Sequence, residues 1–235
     1  MVGDNISENR LLSILPDAQR SDVISRLERK HFNAGELMLE EQTAIDRLYF
    51  TVEGIISVVS LMENGDVAES YTAGREGMSG AELIFDVDRL VQRVICQVPG
   101  DFYILRPDDF LEFYRKYPEF AITVRRYLHC VFSMTAQSAA CNAVHPLTER
   151  CARWLLTTHD RVKRDDFGLT QEMLATMLGV HRPAVTIAAG TLQKAGLIRY
   201  TRGRITVTDR AGLEEASCEC YRIIADEYER VLQAP

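Results

Sequence analysis

The stretch from 169 to 208, LTQEMLATMLGVHRPAVTIAAGTLQKAGLIRYTRGRITVT, leaves this chain little conformational choice. Met173, Leu174, Met177 and Leu178 fall at i, i+1, i+4 and i+5, which is one face of a helix. Thr170 is a candidate N-cap for that helix, because its hydroxyl can accept from the orphan N–H groups of the first turn. Gly179 suits the left-handed position that closes a helix. Val180 lies in the turn that follows. Pro183 falls in the first turn of a second helix, where its missing N–H costs nothing. Val185, Ala188, Ala189 and Leu192 form the buried stripe of that second helix. Two helices across a short glycine turn are a helix-turn-helix. Gly196 ends the pair, and Leu197–Tyr200 reads as a strand. Thr201–Arg204 reads as a turn and Ile205–Thr208 as a second strand, so a basic hairpin follows the helices.

This shape predicts a DNA-binding element whose second helix enters the major groove by its N-terminal residues. The outward positions there are His181, Arg182 and Thr186, with Gln193 further along. Arg182 is the residue expected to read a base edge, since a guanidinium can take guanine O6 and N7 together. Thr170 and Gln171, at the start of the first helix, suit phosphate contact. Arg199, Arg202 and Arg204 would lay the hairpin along a phosphate backbone. Local charge agrees. Residues 181–210 hold six basic residues and one acid, whereas the whole chain has a net charge of −7. A basic patch on an acidic body orients a molecule on DNA and argues against a general polyanion binder.

The 235 residues suffice for two domains. No apolar run is long enough to span a membrane, and the polar start MVGDNISENR is not a signal peptide, so a cytoplasmic protein is expected. The six cysteines (Cys96, Cys130, Cys141, Cys151, Cys218, Cys220) are scattered. None forms a CxxC pair, and no Cys/His cluster has zinc-site spacing, so no metal ligands are assigned. Cys218 and Cys220 are read on one helix, two residues apart and facing different ways. No nucleophile–base pair, metal cluster or phosphate-cradling glycine loop is legible, so no catalytic residue is assigned and an enzyme is not expected.

Upstream, residues 7–30 read as short helices broken at Pro16. From His31 the pattern turns to short strands with turns at Gly54, Asn64-Gly65-Asp66 and Pro99-Gly100. This predicts an antiparallel β-roll or jelly-roll barrel over 1–116. Pro107 opens a helix, and Tyr117–Ala143 reads as one long helix. Val124, Leu128, Val131, Thr135, Ser138 and Asn142 lie on it at spacings of three and four, a stripe expected to pair with a second copy of the chain. Residues 117–145 are thus a dimerisation helix and hinge, broken at Val144-His145-Pro146. Residues 146–235 form the winged helix-turn-helix domain. The fold class expected is α+β.

Taken together, RLYFTVEGIISVV (47–59), LTQEMLATMLGVHRPAVT (169–186) and RGRITVTDRAGLEEASCECY (202–221) resemble the Crp/Fnr family of bacterial transcription regulators. The resemblance covers nearly the whole chain. It implies a homodimer on a palindromic operator, with RNA polymerase as a further partner. It also implies an effector pocket in the barrel, with Gly80, Glu82, Arg89, Arg93 and Thr135 as candidates. Members that bind cyclic AMP carry Gly-Glu-Leu, then Arg-Ser or Arg-Thr. Here Ala81 replaces that Glu, or Glu82 supplies it with a one-residue shift. Neither Arg89 nor Arg93 is followed by Ser or Thr, so a cyclic nucleotide is not expected. No cysteine precedes Cys96, so the iron–sulfur cluster of oxygen-sensing members is not expected either. His31 and His129 are the histidines available to a haem. The DNA-reading helix departs from the best-known pattern at Pro183 and Ile187, which implies a different target sequence. The main expectation is a regulator answering an unidentified signal. The alternatives are a constitutive regulator with a degenerate barrel, or a redox sensor using Cys96, Cys130 or Cys141.

Overall fold

The computed structural model describes residues 9–233, and the chain divides into two compact units. The first takes the chain up to Val59, Tyr71–Phe132 and the residues from Glu227 on. The second takes Ser60–Ser70 and Ser133–Asp226. The tip of one hairpin is thus grouped with the second unit, and the segment from Glu227 with the first.

In the first unit, Asn9 caps helix α1 (Arg10–Ser13). Its Oδ1 accepts from the N–H groups of Leu11 and Leu12, while its Nδ2 donates to the carbonyls of Thr51 and Gly77, both at 2.9 Å. Pro16 starts α2 (Asp17–Ser25), so the break falls where the proline predicts. The helical reading to residue 30 is corrected, because Glu28–Phe32 is strand β1. Residues 7 and 8 of that reading lie outside the described residues.

The strands that follow are β2 (Leu37–Leu39), β3 (Leu48–Thr51), β4 (Ile55–Leu61), β5 (Val67–Ala73), β6 (Met78–Ser79), β7 (Arg93–Val98) and β8 (Gly100–Leu105). They form two four-stranded sheets, ordered β1-β8-β3-β6 and β2-β7-β4-β5. The pairings β1–β8, β3–β8 and β4–β7 are antiparallel. Phe32 packs edge-on against Tyr49 and Phe102, with centroids 5.6 and 5.7 Å away. Gly54 turns β3 into β4 at φ +87°, and a Cβ there would stand 2.4 Å from the Val98 carbonyl oxygen. Only glycine fits such a close approach of two backbones.

Helix α3 (Pro107–Lys116) has Pro107 in its first turn and acids there that complement the helix dipole. The long helix α4 spans Pro118–Val144. The stripe read along it needs correction. Val124 and Val131 are buried within their own chain, Leu128 and Ser138 are half-buried, and only Thr135 and Asn142 are exposed. The exposed stripe runs Ile122, Arg125, His129, Phe132, Ala136, Ala139 and Ala143, again at alternating spacings of three and four. Phe132 is 72% exposed at its centre. The reason is competition. The barrel side claims the most apolar positions, and Tyr127 locks that register by donating to the Met78 carbonyl at 2.6 Å.

The second unit contains α5 (Leu147–Val162), β9 (Asp166–Gly168), α6 (Gln171–Leu178), α7 (Arg182–Lys194), β10 (Ile198–Thr201), β11 (Arg204–Val207), α8 (Arg210–Glu215) and α9 (Cys220–Val231), whose last turn belongs to the first unit. Its core joins Leu155, Leu156 and Phe167 to Leu174, Leu178, Val185, Ala188, Ala189 and Leu192. Both apolar stripes read from the sequence face this core. The wing is a three-stranded sheet, β10-β11-β9, rather than a bare hairpin. Cys218 lies ahead of α9 and Cys220 is its first residue, so the pair does not share a helix. Both thiols join Cys141 in one buried cluster, which corrects the reading that they face apart.

Candidate nucleic-acid interface

Each end of the helix pair is fixed by a local device. Thr170 Oγ1 accepts from the Met173 N–H at 3.1 Å and caps α6, and Gly179 closes it at φ 64°, ψ 41°. Thr170→Ala removes one of the N-terminal acceptors and is expected to cost about 1 kcal/mol, read as a lowered denaturation midpoint. His181 occupies the N-cap of α7 without a side-chain hydrogen bond to the backbone, and Pro183 stands in the first turn as expected.

The outward face of α7 presents His181, Arg182, Thr186 and Ile187, all exposed, with Ile187 at 72%. Thr186 Oγ1 donates to Gln171 Oε1 at 2.9 Å, so the start of α6 is pinned to the exposed face of α7. The wing reaches the same edge. Leu169 N donates to the Gly203 carbonyl at 2.8 Å, and Tyr200 Oη donates to the Leu169 carbonyl at 2.9 Å. Gln193, further along, is also exposed, and its Oε1 accepts from Tyr200 N at 2.7 Å, which ties α7 to β10. Arg202 and Gly203 both have positive φ, 50° and 75°, as a tight two-residue hairpin turn requires. Thr170, Gln171, Thr186 and the Arg202–Gly203 turn are therefore linked into one surface.

Its charge is less uniform than the sequence suggests. Arg204 is held by Asp166 across the wing at 2.7 Å, and Arg210 by Asp160 and Glu214 at 2.8 and 2.9 Å. Among the described residues, Arg182, Lys194, Arg199 and Arg202 have no ion-pair partner. Arg204 is thus a strut of the wing, because β9 supplies an acid that local reading did not pair with it.

The candidate effector residues are not brought together in the same way. Gly80 adopts φ 86° before a 3-10 helix over Ala81–Phe85. Ala81 is buried, so of the two residues offered at that position it is Glu82 that carries a carboxylate into the barrel unit. Glu82 is half-buried overall. Its Oε1 accepts from Tyr71 Oη at 3.2 Å, and its Oε2 is sealed from solvent without a hydrogen-bond partner. Arg89 is paired with Asp88 at 3.0 Å, and Arg93 is forked onto Glu41 at 2.7 Å and onto Glu40. Thr135 is exposed on α4 and belongs to the second unit. His31 and His129 carry carboxylate partners, Asp101 and Glu227, each at 2.8 Å or less.

Burial raises the Glu82 carboxyl above its ordinary 4.5. A raised carboxyl binds more protons folded than unfolded, so its contribution to stability falls as pH climbs from about 4.5 through the folded value. Glu82→Gln should remove that loss. The native chain is expected to lose more stability than the variant between pH 5 and 7.5, measured by urea denaturation. Burial also pushes the Cys96 and Cys130 thiols up to about 12. A sensing thiol needs the opposite shift.

The fold and this surface define a DNA-binding regulator with a separate barrel domain. Residues 149–216 match the family of Crp-like helix-turn-helix domains, and residues 29–117 match the cyclic nucleotide-binding domain family. The chain belongs to the Crp/Fnr family of DNA-binding transcription regulators. Solved structures agree in fold. A Crp/Fnr-family transcriptional regulator from Eubacterium rectale aligns at TM-score 0.67 and 20% identity, over 88% of this chain and 96% of its own. FixK2 from Bradyrhizobium japonicum aligns at TM-score 0.70 and 13% identity, over 82% and 98%. A CRP-family transcriptional regulator from Thermus thermophilus aligns at TM-score 0.67 and 21% identity, over 88% and 100%. No curated protein matches the chain in sequence. No helix among the described residues is long and apolar enough to cross a membrane.

Proposed function

We propose that the chain is a homodimeric, sequence-specific regulator of the cytoplasm, without enzymatic activity, that reads a palindromic operator and acts with RNA polymerase. The observation that carries this reading is the exposed start of α7. Arg182 stands there without an ion-pair partner, beside Thr186 and Ile187. Arg182 would fork onto a guanine edge, and Ile187 offers an apolar surface to a thymine methyl. Thr170, Gln171, Arg199 and Arg202 would hold phosphates.

Dimerisation would use the exposed stripe of α4. Phe132 and Ile122 supply apolar area, and Ala136, Ala139 and Ala143 let two helix backbones approach closely. In the barrel, the buried and unpartnered Oε2 of Glu82 is an acceptor suited to a hydroxyl or amine of a small effector. A cyclic nucleotide is disfavoured because Arg89 and Arg93 are already committed to carboxylates.

Selection of bound duplexes from a random library with the full-length protein tests the proposal. The expected product is an inverted repeat whose half-sites lie about one helical turn apart, roughly 10 bp. Enrichment of a single half-site would remove the dimer, and no enrichment would remove sequence-specific reading.

A further inference from the structure

Cys141 and His145 lie at the end of α4 and just beyond it, more than 70 residues before Cys218 and Cys220. The fold gathers all four. One ligand atom from each lies within 4.8 Å of every other. Cys141 Sγ stands 3.5 Å from Cys218 Sγ, and Cys220 Sγ stands 3.6 Å from His145 Nδ1. A tetrahedral zinc ion, with Zn–S of about 2.3 Å and Zn–N of about 2.0 Å, sets edges of about 3.8 Å between sulfurs and about 3.5 Å between sulfur and nitrogen. The two measured edges fall within a few tenths of an ångström of those values. The widest separation has to close by about 1 Å.

The surroundings are those of a metal site. The other ring nitrogen of His145, Nε2, lies 3.3 Å from the Glu219 carboxylate, the arrangement that orients a ligating imidazole. Gln137 Nε2 donates to Cys220 Sγ at 3.1 Å and holds that sulfur in place. All three thiols are buried, and His145 is half-buried. Arg150 and Arg153 each bury an Nε without a hydrogen-bond partner. Among the described residues, neither guanidinium has an ion-pair partner for its positive charge. Three thiolates around a divalent ion carry a net charge of −1 and would answer part of it.

We infer that Cys141, His145, Cys218 and Cys220 form a closed tetrahedral Cys3His site for a divalent cation of the zinc class. The ion would fasten the end of α4 to the segment between α8 and α9. Binding releases the thiol protons to solvent, so no oxidant or reductant is involved. The inference does not depend on which DNA sequence is read.

The test uses full-length protein purified under reducing conditions. Elemental analysis is expected to find roughly one zinc per chain, as a single four-ligand site requires. Replacement by Co2+ should give the intense visible bands of a tetrahedral thiolate site together with a sulfur-to-cobalt charge-transfer band. Cys218→Ser and His145→Ala, checked for folding by circular dichroism, should drop the metal to background or weaken its retention against a chelator. The cobalt spectrum of the native chain needs no variant and keeps the test independent of folding. The inference is overturned by protein that neither contains nor takes up metal, by an octahedral cobalt spectrum, by metal retained undiminished in both variants, or by a Cys141–Cys218 disulfide in the protein as isolated.

Discussion

Arg182→Ala is expected to weaken binding to the selected operator by about 1–3 kcal/mol, a loss of roughly 5-fold to 150-fold, and to relax base preference at one position of each half-site. The size follows from the geometry. Arg182 opens α7, is exposed, and has no carboxylate partner, so its donors are free for a base. Removing it leaves the fold intact, because the core-facing residues of that turn are Val185 and Ala188 rather than Arg182 itself. Arg202→Ala provides the contrast. At the tip of the wing it should weaken all sequences alike and lower the salt dependence by about one phosphate contact. Competition titrations at two salt concentrations separate the two. Equal losses of specificity from both variants would mean that α7 does not present Arg182 to bases.

Phe167→Ala should be the most damaging single change to the second unit, at about 3–5 kcal/mol. Phe167 is fully buried, and it lies on β9 opposite Ile205 of β11. Its loss opens a cavity beneath the wing and loosens the strand that carries Asp166, the partner of Arg204. Urea denaturation should show a lower midpoint at unchanged slope, and DNA affinity should fall even with Arg182 and Arg202 in place. An unfolding free energy within about 1 kcal/mol of the native value would show that β9 is not part of the core.

The parts legible in the sequence are those specified locally. Thr170, Gly179 and Pro183 mark helix ends by their own backbone chemistry, and the structure finds them there. The Asn64-Gly65-Asp66 turn is local too, with Asn64 Oδ1 accepting from Asp66 N at 3.0 Å. What escapes is set by distant partners. Strand β9 is three residues long, too short for periodicity to register, and exists because β11 pairs with it. Arg93 and Arg204 look like free cations until the fold delivers Glu41 and Asp166. The stripe on α4 reads onto Val124 and Val131 because they are apolar, but a long helix with two apolar faces does not say which one its own core will take. The cysteine cluster has no spacing to recognise, since its halves meet only through the fold.

The most direct test of the whole account is the stoichiometry and footprint of the full-length protein on its selected operator. Two chains per duplex are expected, protecting two successive major grooves on one face of the DNA about one helical turn apart. One chain per duplex over a single groove, or protection spread without regard to sequence, would contradict it.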